Sequence, residues 1–230
     1  MSRRPEKQRK GKDFWGPPNW ATIHILAICL RPETAEEYKE FLWLLTKLLP
    51  CDYCKKNLAK KLTDHPPDKY LSSPEQAFMY TYIVHDLANQ HITRYHPKTP
   101  KVSPPFDDVR DNYLQGLRSR GAGFWGPPVW TSIHSLAVTL RAENGEDFKR
   151  YLELLAILLP DQRSRDTKKW LLESHPPDAY LRNNHDAFFY TYMIHDLVNK
   201  RLRKPRSPPY ENVKSFYFSA LGEECNDCKV

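Results

Sequence analysis

Apolar residues recur along this chain with a helical period. Trp20, Ile23, His24, Ala27 and Ile28 fall at i, i+3, i+4, i+7 and i+8, and Tyr38, Phe41, Leu42, Leu45, Leu48 and Leu49 keep the same kind of spacing. In "PEQAFMYTYIVHDLANQHI", Pro74 suits a first helical position, and Phe78, Tyr82, His85 and Asn89 share one face. These patterns predict five helices, near 18–31, 34–49, 51–62, 75–93 and 106–118. The double prolines of "HPPDKYL" and "HPPDAYL" read as fixed connectors, with His65 and His175 as turn residues and not ligands.

The same pattern then repeats. "FWGPPNWATIHILA" starts at Phe14 and "FWGPPVWTSIHSLA" at Phe124. Phe14 and Phe124, Trp20 and Trp130, His24 and His134, Pro50 and Pro160, His85 and His195, and Asn89 and Asn199 all lie 110 positions apart. "SPPFDDVRDNYLQGL" from Ser103 matches "SPPYENVKSFYFSAL" from Ser207 at an offset of 104, so the second copy is shorter by six residues just before this segment. A unit of this size is a domain and not a solenoid repeat. The expected organisation is a basic tail over 1–13, a first domain over 14–118, a joint over 119–123, a second domain over 124–222 and a tail over 223–230. The fold class is all-α, with two tandem bundles of about five helices each, packed as an intramolecular pseudo-dimer.

Composition supports helices joined by rigid turns: Pro is abundant at 20 and Gly scarce at 8 in 230 residues. The net charge is +7, and the first twelve residues carry six Lys or Arg against one Glu, which is +5 of it. Such an arm is ordinarily solvated, so nucleic-acid binding is not expected as the main task. No apolar run has the length to span a membrane and no secretory signal is visible, so the expected location is cytoplasmic. There is no Walker loop, dinucleotide glycine fingerprint or Ser/His/Asp arrangement.

The chemistry lies in the cysteines. Cys29 sits among apolar neighbours and reads as core. Cys51 and Cys54 form "CDYC", and Cys225 and Cys228 form "CNDC". One reading is a four-thiolate zinc site clamping two binding domains, although the pairs lie far outside the usual ligand spacing. The other is two dithiol–disulfide couples. Cys51 follows Pro50 at an expected helix start, where unpaired N–H groups and the helix dipole favour a thiolate. The second copy is an internal control: Asp161 and Ser164 replace Cys51 and Cys54 while Pro160, Trp130, His134, His195 and Asn199 remain. The cysteines are therefore removable from the scaffold.

"WGPPNWATIH", "LLPCDYC" and "HDLAN", in that order and spacing, resemble the Erv/ALR family of FAD-dependent sulfhydryl oxidases, over nearly all of 14–117. The "WGPP" wording looks most like members carried by large DNA viruses. The resemblance implies a helical bundle holding FAD, with Gly16, Trp20 and His24 along the cofactor and His85 and Asn89 reaching it from the fourth helix. It makes Cys51–Cys54 the proximal disulfide, with Cys54 beside the isoalloxazine, and Tyr113 the residue that closes the site from the fifth helix. The family's Lys after the Asn is missing from "NQHITRYH", which leaves His91 or Arg94 to serve; the second copy, "NKRLRKP", is closer to the family wording. That copy is expected to be a degenerate pseudo-domain. The implied reaction oxidises protein dithiols through a Cys225–Cys228 shuttle to Cys51–Cys54, then to FAD, then to dioxygen, giving hydrogen peroxide. A homodimer of the fused chain is a further expectation from the family.

Overall fold

The structure is a computed structural model, and it describes residues 9–221. Those residues form ten α-helices and no strand. In the first copy they are α1 (Lys12–Ile28), α2 (Ala35–Leu48), α3 (Asp52–Asp64), α4 (Pro74–Tyr95) and α5 (Phe106–Arg120). The second copy gives α6 (Ala122–Val138), α7 (Gly145–Leu158), α8 (Gln162–Ser174), α9 (Asn184–Arg201) and α10 (Tyr210–Leu221).

The helix starts follow from local chemistry. Ser73 caps α4 by accepting the N–H of Gln76 at 3.3 Å, with Pro74 next to it, and Asn183 caps α9 by accepting the N–H of Asp186 at 2.9 Å. The first helix differs from the expected 18–31. It begins at Lys12 and carries Pro17 and Pro18 inside it. A proline in a helix interior removes a backbone donor. Both prolines lie within the first two turns, so the carbonyls that lose an i→i−4 partner are those of Asp13 and Phe14 near the helix start; beyond them Asn19 Nδ2 donates to the Trp15 carbonyl at 2.7 Å and Thr22 Oγ1 to that of Pro18 at 2.9 Å. The "HPPD" connectors are turns, and the carbonyls of His65 and His175 accept from the hydroxyls of Tyr80 and Tyr190, each at 2.8 Å.

The two copies share one core. α1 packs on α6 and α2 on α7, and the buried side chains of both copies form a continuous apolar cluster. The arrangement is reciprocal at the ends as well. Tyr113 of α5 meets Phe124 of α6 edge-on at 5.8 Å, and Tyr217 of α10 meets Phe14 of α1 the same way at 5.5 Å. Gly121 alone separates α5 from α6. It has φ 48° and donates to the Leu117 carbonyl at 3.0 Å. Gly11, 110 positions earlier, has φ 53° and donates to the Ala220 carbonyl at 2.8 Å. A left-handed backbone suits only glycine readily, and each copy enters its first helix through one. The chain is thus an intramolecular pseudo-dimer, each copy's last helix touching the other copy's first.

Candidate active site

In copy one, α1, α3 and α4 enclose a cavity of about 140 Å³. Its wall is largely apolar and aromatic. Gly16 and Trp20 come from α1, Tyr53, Cys54, Asn57, Leu58 and Lys61 from α3, and His91 and Tyr95 from α4. A Cβ on Gly16 would meet no protein atom nearer than Lys12 Cγ at 3.9 Å, so the protein itself leaves room for a methyl there.

Cys51 is the N-cap of α3. Its Sγ accepts the backbone N–H of Cys54 at 3.2 Å, and it is buried under the turn. Cys54, one turn into the helix, reaches the cavity wall. The turn is steadied from both copies: Asp52 pairs with Arg141 of copy two at 2.8 Å and with Lys55 of its own helix at 3.0 Å. Hydrogen bonds from Arg141 and then Lys55 hold the Asp52 carboxyl below its ordinary range. In copy two Asp161 performs the capping. Its Oδ1 accepts the N–H of Ser164 at 2.8 Å and its Oδ2 the Ser164 hydroxyl at 2.9 Å. Asp is among the best N-caps, so the fold survives the loss of the sulfurs.

The histidines form a directed chain behind the cavity. The Thr81 hydroxyl donates to the Phe78 carbonyl at 2.8 Å, so it accepts from His24 Nδ1 at 2.8 Å. His24 Nε2 must then accept from His85 Nδ1, at 3.0 Å. His85 stacks on Trp20 with centroids 4.1 Å apart and planes within 5°. Burial lowers the His24 pKa to about 3, with His85 adding to it, and burial lowers that of His85 to about 4. Both rings are neutral near neutral pH. Copy two builds the same chain from Phe188, Thr191, His134 and His195, with bonds of 2.9, 2.9 and 3.0 Å, and stacks His195 on Trp130 at 4.0 Å.

Of the residues singled out in the sequence, Gly16, Trp20, Cys54 and His91 line the cavity. His24 and His85 stand behind Trp20. Asn89 points elsewhere and donates to Ser103 Oγ at 3.0 Å. Tyr113 packs edge-on against His24 at 5.5 Å and does not reach the cavity. Cys225 and Cys228 lie outside the described residues. The sequence reading overlooked Tyr53, whose hydroxyl is bonded to His91, and Lys61, which donates to Asn57. Helical spacing puts Lys61 on the face of Cys54, with Asn57, Leu58 and Lys61 at i+3, i+4 and i+7 from it, but nothing in residue type marks any of them. Lys61 brings a lysine to the cavity wall from a different helix than "NQHITRYH", whose Arg94 is not in that wall. Among the described residues no cluster of three His, Cys, Asp or Glu side chains is placed to hold a metal, and no helix is long and apolar enough to cross a membrane.

Known proteins give the same picture. The sequence model described as the Erv1 / Alr family matches twice, over residues 18–106 and 127–217. Two curated relatives, both called FAD-linked sulfhydryl oxidase, come from tick (Malawi) and pig (Kenya) isolates of African swine fever virus. They are 30% and 29% identical over 84 residues, covering 35% of this chain and 69% of each relative. No solved structure matches the chain.

Proposed function

The chain belongs to the Erv1 / Alr family, with its domain present twice, and we propose that it is an FAD-dependent sulfhydryl oxidase whose working centre is the first copy. The observation that carries this reading is that Cys54 shares a cavity wall with Trp20 and Tyr53, so a thiol stands among flat aromatic surfaces. The donor set fits a flavin nucleotide: aromatic walls for a ring, and Lys12, Lys61 and His91 for phosphates. The cavity is smaller than the usual ~300–1,000 Å³ of ligand sites, and Tyr53 and His91, bonded to each other, form part of its wall.

FAD, when bound, accepts two electrons from a dithiol and delivers them to dioxygen, with hydrogen peroxide as product. The protein's part is thiol exchange and orientation. A substrate dithiol reduces the Cys225–Cys228 disulfide. That dithiol then attacks the Cys51–Cys54 disulfide through Cys51, which frees Cys54 at the cavity wall. Each exchange breaks one S–S bond and forms another, and its direction follows the two potentials. The N-terminus of α3 steadies the departing thiolates. The His85–His24–Thr81 chain fixes the Trp20 face.

The test is the visible spectrum of the purified chain with its thiol-oxidase turnover. A flavin-containing protein that loses turnover on Cys54→Ala bears the reading out. A folded protein that takes up no FAD overturns it, as does full turnover in that variant. Slower turnover on protein dithiols alone, after Cys225→Ala with Cys228→Ala, supports the shuttle; unchanged turnover removes it.

A further inference from the structure

The cavity of copy two lies between α6, α8 and α9 and measures about 480 Å³, within the range of ligand sites. Its recognition wall matches that of copy one: Trp130 stacked on His195 and tied through His134 to Thr191. What differs is the charge on the third helix. Copy one has Leu58 and Lys61, whereas copy two has Lys168 at the position of Leu58 and Leu171 at that of Lys61. Each copy therefore presents one lysine on this face, moved by three residues, which is about 4.5 Å along the helix.

The move changes the lysine's situation. Lys61 is half-exposed and bonded to Asn57. Lys168 is 4% exposed, and its Nζ has no hydrogen-bond partner among the described residues. It lies over the Trp130 ring, 5.2 Å from the centroid. Burial lowers its pKa to about 7. A buried ammonium left unpaired is costly, and the cavity offers no free carboxylate. Asp161, the acidic residue lining it, spends both oxygens on Ser164. Arg163 and Lys204 line the same cavity and add to the positive charge.

We propose that copy two holds a second ligand site, for a flat aromatic ring bearing phosphate, in which Lys168 is the counter-charge. The Trp130–His195 wall takes the ring, as the aromatic wall does in the first copy. With Asp161 and Ser164 in place of the cysteines, this site exchanges no electrons with thiols. The ligand chemistry is shared by flavin and adenine nucleotides.

The test uses the whole chain and counts bound equivalents, by denaturing extraction followed by calorimetric titration to saturation with FAD, ADP or riboflavin. The variants are Lys168→Leu, which restores the residue of copy one, and Lys168→Arg. The expected result is two nucleotide equivalents in the parent chain. One of them weakens tenfold or more in Lys168→Leu and is retained in Lys168→Arg. The ligand-free Lys168→Leu protein should melt higher than the parent, which also shows that it folds. ADP competing for the Lys168-dependent site identifies an adenine nucleotide, and binding of FAD alone identifies a flavin. Equal stoichiometry and affinity in parent and Lys168→Leu overturn the proposal, as does Lys168-independent binding of riboflavin as tight as that of FAD. Loss of thiol oxidation in a chain that keeps its Lys168-dependent equivalent would overturn only the function proposed for copy one.

Discussion

Glu40 and Arg150 are the same position in the two copies, 110 residues apart, and they face each other. Arg150 Nε and Nη2 each donate to a Glu40 carboxylate oxygen at 2.8 Å. Beside them Phe41 stacks on Tyr151, again 110 apart, at 5.6 Å. In a symmetric dimer of identical chains a residue on the axis meets itself, and a charge there meets its like. Fusion of the copies lets the two partners differ, and here they have become a bidentate pair. Both side chains are about two-fifths exposed, so the pair is worth about 1 kcal/mol at most. Arg150→Glu should lower Tm by about 2–4 °C, and the double change Glu40→Arg with Arg150→Glu should recover most of that loss. Calorimetric melting of the four chains would show it; no recovery would mean that the pair acts through other neighbours.

The histidine chains make stability depend on pH. His24, His85, His134 and His195 all have folded pKa values below the ordinary 6.5, chiefly through burial. Below about pH 6.5 the unfolded chain takes up protons that the folded chain refuses, so stability falls as pH drops. Above that range the histidine contribution is level. Carboxyls such as Glu40 and Asp52, whose folded pKa values are depressed, add their own loss only at lower pH, below their ordinary values of 4.5 and 3.8. Urea denaturation at steps from pH 5 to pH 8 should give a rising curve whose histidine slope ends near pH 7, above which Lys168, held neutral in the folded chain by burial, keeps it rising. A curve flat from 5 to 8 would contradict neutral, buried imidazoles.

Helix interiors, the repeat and the fused arrangement were legible because period and self-similarity are properties of the chain itself. The start of α1 was not. The expected start near 18 lies past Pro17 and Pro18, which fall inside the helix, and Gly11 supplies the actual turn. The cavity was half legible. Motif residues such as Trp20 and Cys54 stand out by type, whereas Tyr53, Asn57 and Lys61 are ordinary residues that gain meaning only from facing the same space. Asn89 and His85 share a helix face, yet only His85 reaches Trp20, because one face of a long helix covers more than one site.

Gly16 separates packing from binding. The protein leaves space for a methyl at this position, and Ala is the better helix former by ~0.5–1 kcal/mol. Gly16→Ala should therefore leave the ligand-free chain equally stable or slightly more so. The methyl would enter the cavity, and FAD affinity should fall tenfold or more. Thermal melting with and without FAD reads both. A destabilised ligand-free protein would mean that Gly16 serves packing, and unchanged affinity would remove it from the cofactor wall.

Copy two carries its own solution for starting this helix, and copy one can be given it. Cys51 caps α3 through sulfur, and Asp161 caps α8 through its carboxylate at the matching position. Replacing both cysteines by their counterparts, Cys51→Asp with Cys54→Ser, should therefore keep the helix start and hold stability within ~1 kcal/mol, about the value of an N-cap. Thiol oxidation should vanish, because no sulfur remains at the cavity wall. Cys51→Ala with Cys54→Ala loses the cap as well and should be the less stable of the two variants by ~1 kcal/mol. Denaturant midpoints rank the variants and a dithiol-oxidation assay reads the chemistry. If the Asp–Ser chain were the less stable one, the cysteine turn would owe its geometry to something other than capping. If it still oxidised dithiols, the working pair would lie elsewhere in the chain.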